Sequence, residues 1–501
     1  MHSRLLSRAF GRTAAAAAAA AVVTIPFALS GSVASSCATA EASAVASVRE
    51  NRRELSCCCS ACGDAHATST QGVTAGSTAK CQYSELYTPS KPIRVGIVGA
   101  TGAVGQRFIQ LLEQHPWFSV KVVAASKRSA GKTYEKAANW VLQSDLPESV
   151  SELRVVGCDD ASVTQWAGEV DVVFSALDSS VATQVESACL KQGLPVFSNA
   201  KNFRTHPAAP LVVPPVNAGH LGPMLQWQAA SEFWGSALPG AQSAPAAKHA
   251  LLVTNANCST TGLVTALAPL QEAFGIRHVS VVTMQAISGA GYPGVPAWDM
   301  ASNVVPNISG EEHKIETEFK KILGSVHAES IADTVSAGDM RAAAAEQARS
   351  GGNDSPLIKA APFTISAHTN RVPVLNGHTL CVTVSLDSAA SVDQVLRAFR
   401  EYRPKPLQVM DSLPSAPRDA NTGVPQWIRV RSEGNRPQPA KDVQEGGGYT
   451  TVVGQVRRCS STPNGVKFTV VSHNTIMGAA GSSILNAEAA VRLGHLRPQG
   501  E

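Results

Sequence analysis

The chain has 501 residues, enough for two or three domains and a sizeable core. Hydrophobic residues make up 44% and charged residues 16%, an ordinary balance for a globular protein. The net charge of +4, with no long basic run, gives no electrostatic case for nucleic acid as a partner.

The first stretch reads as a targeting leader, residues 1–90, rather than as part of a fold. MHSRLLSRAFGR is basic without an acid, an apolar Ala-dominated run covers 13–30, and residues 31–90 are rich in Ser, Thr and Ala. A signal-like start followed by a transit-like tract predicts routing into a plastid, with a mitochondrion as the alternative and no membrane segment in the mature form. The cluster CCCSAC (57–62) has zinc-like spacings but no second ligand pair nearby, so no metal is assigned. Six of the eleven cysteines lie in the first 81 residues and five are scattered singly beyond them. That scatter predicts a body that works reduced.

Residues 93–98 form an apolar strand run. Gly99, Gly102 and Gly105 follow, and then Phe108, Ile109, Leu111 and Leu112 recur at helical spacing. Strand, glycine turn and helix are the context of a dinucleotide-binding turn, with a pyrophosphate on the helix N-terminus. A second strand at 120–125 leads into Ser126, Lys127, Arg128 and Ser129. An NAD enzyme usually carries an acid there for the ribose hydroxyls; hydroxyls and positive charge suit the 2′-phosphate of NADP(H).

Alternation continues with a strand at 171–177, a helix at 181–192 and a strand at 194–200. Residues 221–248 show no clear period and read as a surface insertion. A second insertion covers 334–356, and an irregular Pro-rich stretch covers 411–440. Strand-like runs at 276–287 and 377–387 predict a mixed or antiparallel second sheet. Residues 478–493 return to helical spacing and are expected to pack back on the nucleotide domain. The predicted fold is α/β: an NADP-binding Rossmann domain over 91–256, completed by 472–501, plus an α+β catalytic and dimerisation domain over 257–471.

Cys258 in NANCSTTG follows an apolar strand at 250–253 and precedes a helical pattern from Leu263. A helix start lowers a thiol pKa through its free amides and dipole, and Asn257 and Thr260 add donors. A thiolate beside a nicotinamide adds to an aldehyde, loses hydride and leaves a thioester open to a second nucleophile. Histidine suits the acid–base part, and both His368 and His378 stand in SAHTNRVPVLNGHTL. In GEEHKIETE, Glu311, Lys314 and Glu318 share one helix face, and composition alone predicts an exposed, ion-paired helix.

Together, VGIVGATGAVGQRF, SNAKNFR, LVVPPVN, TNANCSTTGL, QAISGAGYPG, GEEHKIETE, NRVPVLNGHT, RPQP and SHNTIMGAAGSSILNAE resemble the aspartate-semialdehyde dehydrogenases of the fungal and archaeal branch. The resemblance runs from about residue 92 to 491. It implies NADPH-dependent reduction of L-aspartyl 4-phosphate to L-aspartate 4-semialdehyde with release of phosphate, feeding threonine, methionine, isoleucine and lysine synthesis. It implies Cys258 as nucleophile and His378 as acid–base. Arg371 would hold the substrate carboxylate and Glu311 its ammonium group, with Lys314 and Arg204 on phosphate. Gln285 and Asn257 would contact substrate. Gly99, Thr101, Gly102, Val104 and Gly105 would hold the pyrophosphate, Ser126 to Ser129 the 2′-phosphate, and Ser288, Gly289 and Asn474 the nicotinamide side. Members of the family are homodimers or homotetramers. The alternatives are another phosphate-dependent aldehyde dehydrogenase, such as an N-acetylglutamyl-phosphate reductase, and a non-catalytic NADP-binding protein. The chain departs from the family at Ala256, Thr369, Ala440 and Ser482, none of them a catalytic group.

Overall fold

In the computed structural model, residues 86–231, 233–234, 250–326, 336–350 and 356–501 are described. The leader up to residue 85, with CCCSAC, lies outside the described residues. Residues 86–90, expected within the leader, instead pack on the C-terminus. Tyr87 Oη donates to Glu501 Oε2 at 2.6 Å, and the Arg497 guanidinium covers the Tyr87 ring at 4.6 Å.

The first sheet is built from β1 (Ile93–Val98), β2 (Phe118–Ala125), β3 (Val156–Gly157), β4 (Val172–Ser175), β5 (Val196–Ser198), β6 (Leu211–Val212) and β7 (Leu252–Asn255). Their order is β3-β2-β1-β4-β5-β7-β6, and every pair is parallel. Continuous burial of β4 and β7 fits a sheet covered on both faces. Helix α1 (Ala103–Leu112) presses Phe108 onto Phe174 of β4, ring centroids 4.9 Å apart. Helix α2 (Ser179–Lys191) runs between β4 and β5, with the Asp178 side chain accepting from the Ser180 N–H at its start.

Residues 221–231 are not a surface insertion. They form helix α3 (Leu221–Ser231), which buries Met224, Leu225, Trp227 and Gln228. Gln228 donates to Ala208 O and Leu252 O and accepts from Leu252 N, so it pins β7, the strand that leads to Cys258.

Helix α4 (Cys258–Phe274) crosses to the second sheet. That sheet contains β8 (Ile276–Gln285), β9 (Val305–Pro306), β12 (Thr364–Arg371), β13 (His378–Leu386), β14 (Ile428–Val430), β15 (Thr451–Cys459) and β16 (Gly465–Ser472). Its order is β14-β15-β16-β13-β8-β12-β9, with β8–β12 and β14–β15 parallel and the other pairs antiparallel. The expected mixed sheet is therefore present. A two-stranded antiparallel ribbon, β10 (Ser325–Val326) with β11 (Ile358–Lys359), flanks the second irregular segment, which holds a helix over Ala337–Ser350. The 411–440 stretch buries Leu413 and Trp427 and is braced by Arg429, Arg431 and Arg436 on Asp419, Asp442 and Glu445.

Helix α5 (Glu311–Ile322) is not the exposed helix that its composition predicts. One face buries Glu311, Ile315, Glu318 and Lys321. On another, Glu312 and Glu316 accept the Thr369 and Ala367 N–H groups of β12. The last helical elements are a π-turn, Ile476–Ala480, and helix α6 (Gly481–Arg492), which returns to the first sheet as expected. Asn486 Nδ2 donates to Asn255 Oδ1 at 2.9 Å, and Asn255 Nδ2 to Ser483 Oγ at 2.8 Å.

Candidate active site

A cavity of about 550 Å³ opens at the carboxyl ends of β1, β4 and β5, where a parallel sheet receives its ligands. Gly102, Ala103 and Val104 at the start of α1 line one end. Gly102 makes no side-chain cap, so the first-turn amides of α1 remain available to an anion. The turn needs its glycines: Gly99 has φ +78°, and a Cβ on Gly105 would sit 2.4 Å from Gly99 O. This cradle fits a pyrophosphate.

Cys258, half-buried, sits at the start of α4 on the opposite wall. Its Sγ lies 3.0 Å from His378 Nε2. His378 begins β13 and is fully buried, with Nδ1 accepting the Ala286 N–H at 3.0 Å. The carbonyl of the same residue, Ala286, accepts from Arg371 Nη1 at 2.8 Å. The residue on which the imidazole and the guanidinium converge is the first after β8, which ends at Gln285. His368 is exposed on β12 and takes no part.

The π-turn passes directly behind the thiol. A Cβ on Gly478 would come within 2.8 Å of Cys258 Cβ, so glycine lets the C-terminal helix approach the nucleophile. π-Turns recur at functional sites, and this one brings Gly478 and Ala479 to the cavity, with Asn474 and Thr475 just before it.

Two sequence expectations change here. The thiol is not lowered by its helix start: burial, and then the Glu311 carboxylate, push it up to about 12, against the pull of Arg204, Arg371 and Lys314. A helix dipole is worth about 0.3–1 kcal/mol, less than the roughly 1.4 kcal/mol of a single pKa unit. The side chains of Asn257 and Thr260 do not donate to the sulfur either. Asn257 Oδ1 caps α4 by accepting from the Ser259 and Thr260 N–H groups, and its Nδ2 donates to Glu311 Oε2 at 2.7 Å. The Thr260 hydroxyl is buried against that same Oδ1.

The cavity gathers most of the other sequence-selected residues: Arg204, Gln285, Glu311, Lys314, Arg371, Ser288, Gly289 and Asn474, with Gly289 close against Arg371 and His378. Lys314 is ion-paired with Glu311, and Arg204 Nη1 meets Glu318 Oε1 at 2.9 Å. Asn474 Nδ2 donates to Ser288 Oγ at 2.8 Å, which fixes the 288–289 turn. Gly99, Thr101 and Gly105 shape the turn without lining the cavity. Ser126 to Ser129 lie beyond it, on the turn after β2, where Lys127 approaches Asp159 at 3.8 Å. The sequence motifs assign Glu318 no role in the site. It accepts Arg204 on one oxygen and the Asn257 N–H, at 2.6 Å, on the other. The signal was present in its seven-residue spacing from Glu311.

Among the described residues no cluster of three or more His, Cys, Asp or Glu side chains could hold a metal ion, and the five body cysteines are free.

The sequence matches the semialdehyde dehydrogenase NAD-binding domain over residues 94–223 and the semialdehyde dehydrogenase dimerisation domain over 267–344 and 337–477. It is 41% identical over 412 residues to the aspartate-semialdehyde dehydrogenase of Trichophyton rubrum, covering 82% of this chain and 99% of that one. The chain belongs to the aspartate-semialdehyde dehydrogenase family. The enzyme of that name from Methanothermobacter thermautotrophicus is 40% identical over 79% of this chain and 98% of its own length. The structure of Candida albicans aspartate semialdehyde dehydrogenase with NADP superposes with a TM-score of 0.65 at 37% identity, covering 81% of this chain and 100% of that one. The family's fungal and archaeal members are thus the ones the sequence motifs resemble, and the phosphate-dependent reductase for N-acetylglutamyl substrates is not favoured.

Proposed function

We propose that the chain reduces L-aspartyl 4-phosphate to L-aspartate 4-semialdehyde with NADPH, releasing phosphate, by way of a thioacyl group on Cys258. The observation that carries this reading is the 3.0 Å contact of Cys258 Sγ with His378 Nε2 in a cavity that also holds Arg371, Glu311, Lys314 and Arg204. Arg371 matches the α-carboxylate as a planar fork, and Glu311 matches the ammonium group. Arg204 and Lys314 hold the phosphoryl group, and Gln285 orients the acyl carbon. The reaction belongs to the synthesis of threonine, methionine, isoleucine and lysine.

Cys258 sulfur attacks the acyl carbon. The C–S bond forms, the C–O bond to phosphate breaks, and the thiol proton leaves on the phosphate. Bound NADPH supplies a hydride to the acyl carbon. His378 then gives its Nε2 proton to the oxygen on which charge gathers, and breaking the C–S bond releases the aldehyde. The hydroxyl proton passes to the sulfur as that bond breaks, restoring the thiol, and a proton from solvent restores the imidazole. The first-turn amides of α1 hold the pyrophosphate, Ser288, Gly289 and Asn474 the nicotinamide end, and Ser126 to Ser129 the 2′-phosphate.

The reading is tested with aspartate semialdehyde, phosphate and NADP: phosphate-dependent NADPH formation is expected, abolished in Cys258→Ala with NADP binding retained. Absence of that activity in the parent chain overturns it.

The second sheet leaves one face open, with Val282 41% exposed in its inner strand β8 and Cys381 exposed beside it on β13, the central strand. A buried parallel sheet has no such face, and an apolar residue on an open one invites a second copy. The chain pairs as a homodimer through this face, with a homotetramer as the higher form. Val282→Glu shifting the mass in light scattering to a monomer tests it. The leader routes the chain to a plastid; its support is the signal-like start and transit-like tract. A fluorescent fusion of residues 1–90 distinguishes plastid, mitochondrion and cytosol.

A further inference from the structure

The two cations assigned to phosphate are held in different ways. Arg204 is paired with Glu318, which does not line the cavity and is itself fixed by the Asn257 N–H. Lys314 is paired with Glu311, and both side chains line the cavity. Glu311 cannot swing away, because its other oxygen accepts Asn257 Nδ2 at 2.7 Å and Asn257 is locked as the cap of α4. Lys314 is the partner free to leave, on a flexible four-carbon stem.

Glu311 is also the group proposed to receive the substrate's α-ammonium. One carboxylate with one oxygen already committed faces two cations, the substrate's and Lys314's. We propose that the Glu311–Lys314 pair is a latch: the α-ammonium group of the substrate takes the place of Lys314 on Glu311, and the released Lys314 then binds phosphate. The inference rests on the reaction proposed above and assigns that site a coupling between amine and anion. A semialdehyde without the amine leaves the pair closed and the phosphate site with Arg204 alone.

Charge balance favours this sequence of events. The substrate carboxylate is met by Arg371 and its ammonium by Glu311, which leaves Lys314 uncompensated in a half-buried cavity. A phosphate dianion supplies the missing charge, and in a cavity of low polarity that pairing is stronger than in water. The same exchange acts on the nucleophile. Glu311 is the charge that most raises the Cys258 thiol, while Lys314 lowers it, so neutralising Glu311 and freeing Lys314 both favour the thiolate.

Coupling of this kind is typically worth a factor of about 5–150, and it is reciprocal. The test uses the full chain carrying Cys258→Ala, which cannot turn over, with NADP present. Phosphate affinity is measured by calorimetry with saturating L-aspartate 4-semialdehyde, with saturating 4-oxobutanoate, which is the same aldehyde without the amine, and with phosphate alone. Phosphate is expected to bind about 5–150-fold more tightly with the amine-bearing aldehyde than in either reference. In a Cys258→Ala, Glu311→Gln chain the factor is expected to fall close to one. Equal phosphate affinity in all three arms, or a factor that survives Glu311→Gln, overturns the latch. The parent enzyme is assayed in parallel. No phosphate-dependent NADPH formation there removes the reaction itself, whereas turnover with equal affinities removes only the latch.

Discussion

His378 presents Nε2 to the Cys258 sulfur at 3.0 Å while its Nδ1 accepts the Ala286 N–H at the same distance. A backbone N–H can only donate, so Nδ1 carries no proton and the neutral ring has its proton on Nε2, facing the sulfur. Burial, then Arg371 and His473, lower the imidazole to about 3, and the thiol is raised to about 12. Both groups are therefore neutral at pH 7. His378 is set to act as an acid toward an oxygen near the sulfur, and the thiol is activated by charges that arrive with substrate.

Alkylation order reports this directly. Cys459 is partly exposed, and hydrogen bonds with Ser461 and Thr462 lower its thiol to about 7. At pH 7 the thiolate fraction of Cys459 far exceeds that of Cys258, and the thiolate is the nucleophile. Iodoacetamide followed by peptide mass spectrometry is expected to consume Cys459 first. The Cys258 rate should climb as pH rises from 7 to 10. Cys258 reacting as fast as Cys459 at pH 7 would mean that it already stands as a thiolate.

Glu318 joins two parts of the site, Arg204 on one oxygen and the Asn257 N–H on the other, and is buried while doing so. Removing one member of a buried pair costs about 3–5 kcal/mol, because the partner's charge is left unmatched. Glu318→Ala is expected to lower the Tm and raise the KM for phosphate as Arg204 loses its anchor. Arg204→Ala combined with Glu318→Ala should destabilise less than the two single effects added together. Strict additivity in thermal unfolding would show that the pair is not coupled.

The glycine turn and the helix start at Cys258 were legible because both are local: glycine spacing, flanking strand and apolar periodicity lie within about thirty residues. The spacing of Glu311, Lys314 and Glu318 was legible as one face, but its burial was not. Charged composition predicts a solvated helix, and only packing of α5 between the Cys258 region and the edge of β12 turns the acids inward. Helix α3 is not legible in the sequence for a different reason. Leu221, Met224, Leu225, Trp227 and Gln228 share one buried face, but that face includes the polar Gln228 while Ala229 and Ala230 lie exposed, so no clear polar–apolar contrast marks it. The choice between His368 and His378 depended on the family's spacing. The structure gives the physical reason: one side chain faces out from β12, and the other starts β13 against the thiol.

Cofactor choice makes a separate prediction. Lys127 and Arg128 are exposed on the turn after β2, and the Lys127–Asp159 contact of 3.8 Å is a surface pair worth about 0–1 kcal/mol. That pair is easily outcompeted by a 2′-phosphate, to which charge-assisted hydrogen bonds contribute about 1.5–3 kcal/mol. Arg128→Ala and Lys127→Ala are each expected to raise the KM for NADPH by about ten- to hundredfold. The activity with NADH should stay unchanged. Parallel losses with both cofactors would move these residues out of the 2′-phosphate site.

Beneath the cavity, Glu186 of α2 is wholly buried and accepts the Ser175 and Ser198 hydroxyls on the same oxygen, each at 2.6 Å. Ser198 in turn accepts the Ala200 N–H at 3.1 Å, so the carboxyl steadies the turn that carries Asn199 and Arg204 to the site. Its second oxygen has no partner among the described residues, and burial raises the group to about 7. The unfolded chain loses this proton near pH 4.3. Between about 4.3 and 7 the native state therefore binds more protons than the unfolded state, so the contribution of Glu186 to stability declines as pH rises through that window. Glu186→Gln keeps a carbonyl oxygen for the two hydroxyls and has no proton to lose. Its Tm relative to the parent is expected to rise between pH 5 and pH 8, with any gain appearing at the alkaline end. A difference in Tm that stays constant over this range would mean that Glu186 is already ionised in the folded protein, and the turn would then be held by a charge rather than by a neutral acid.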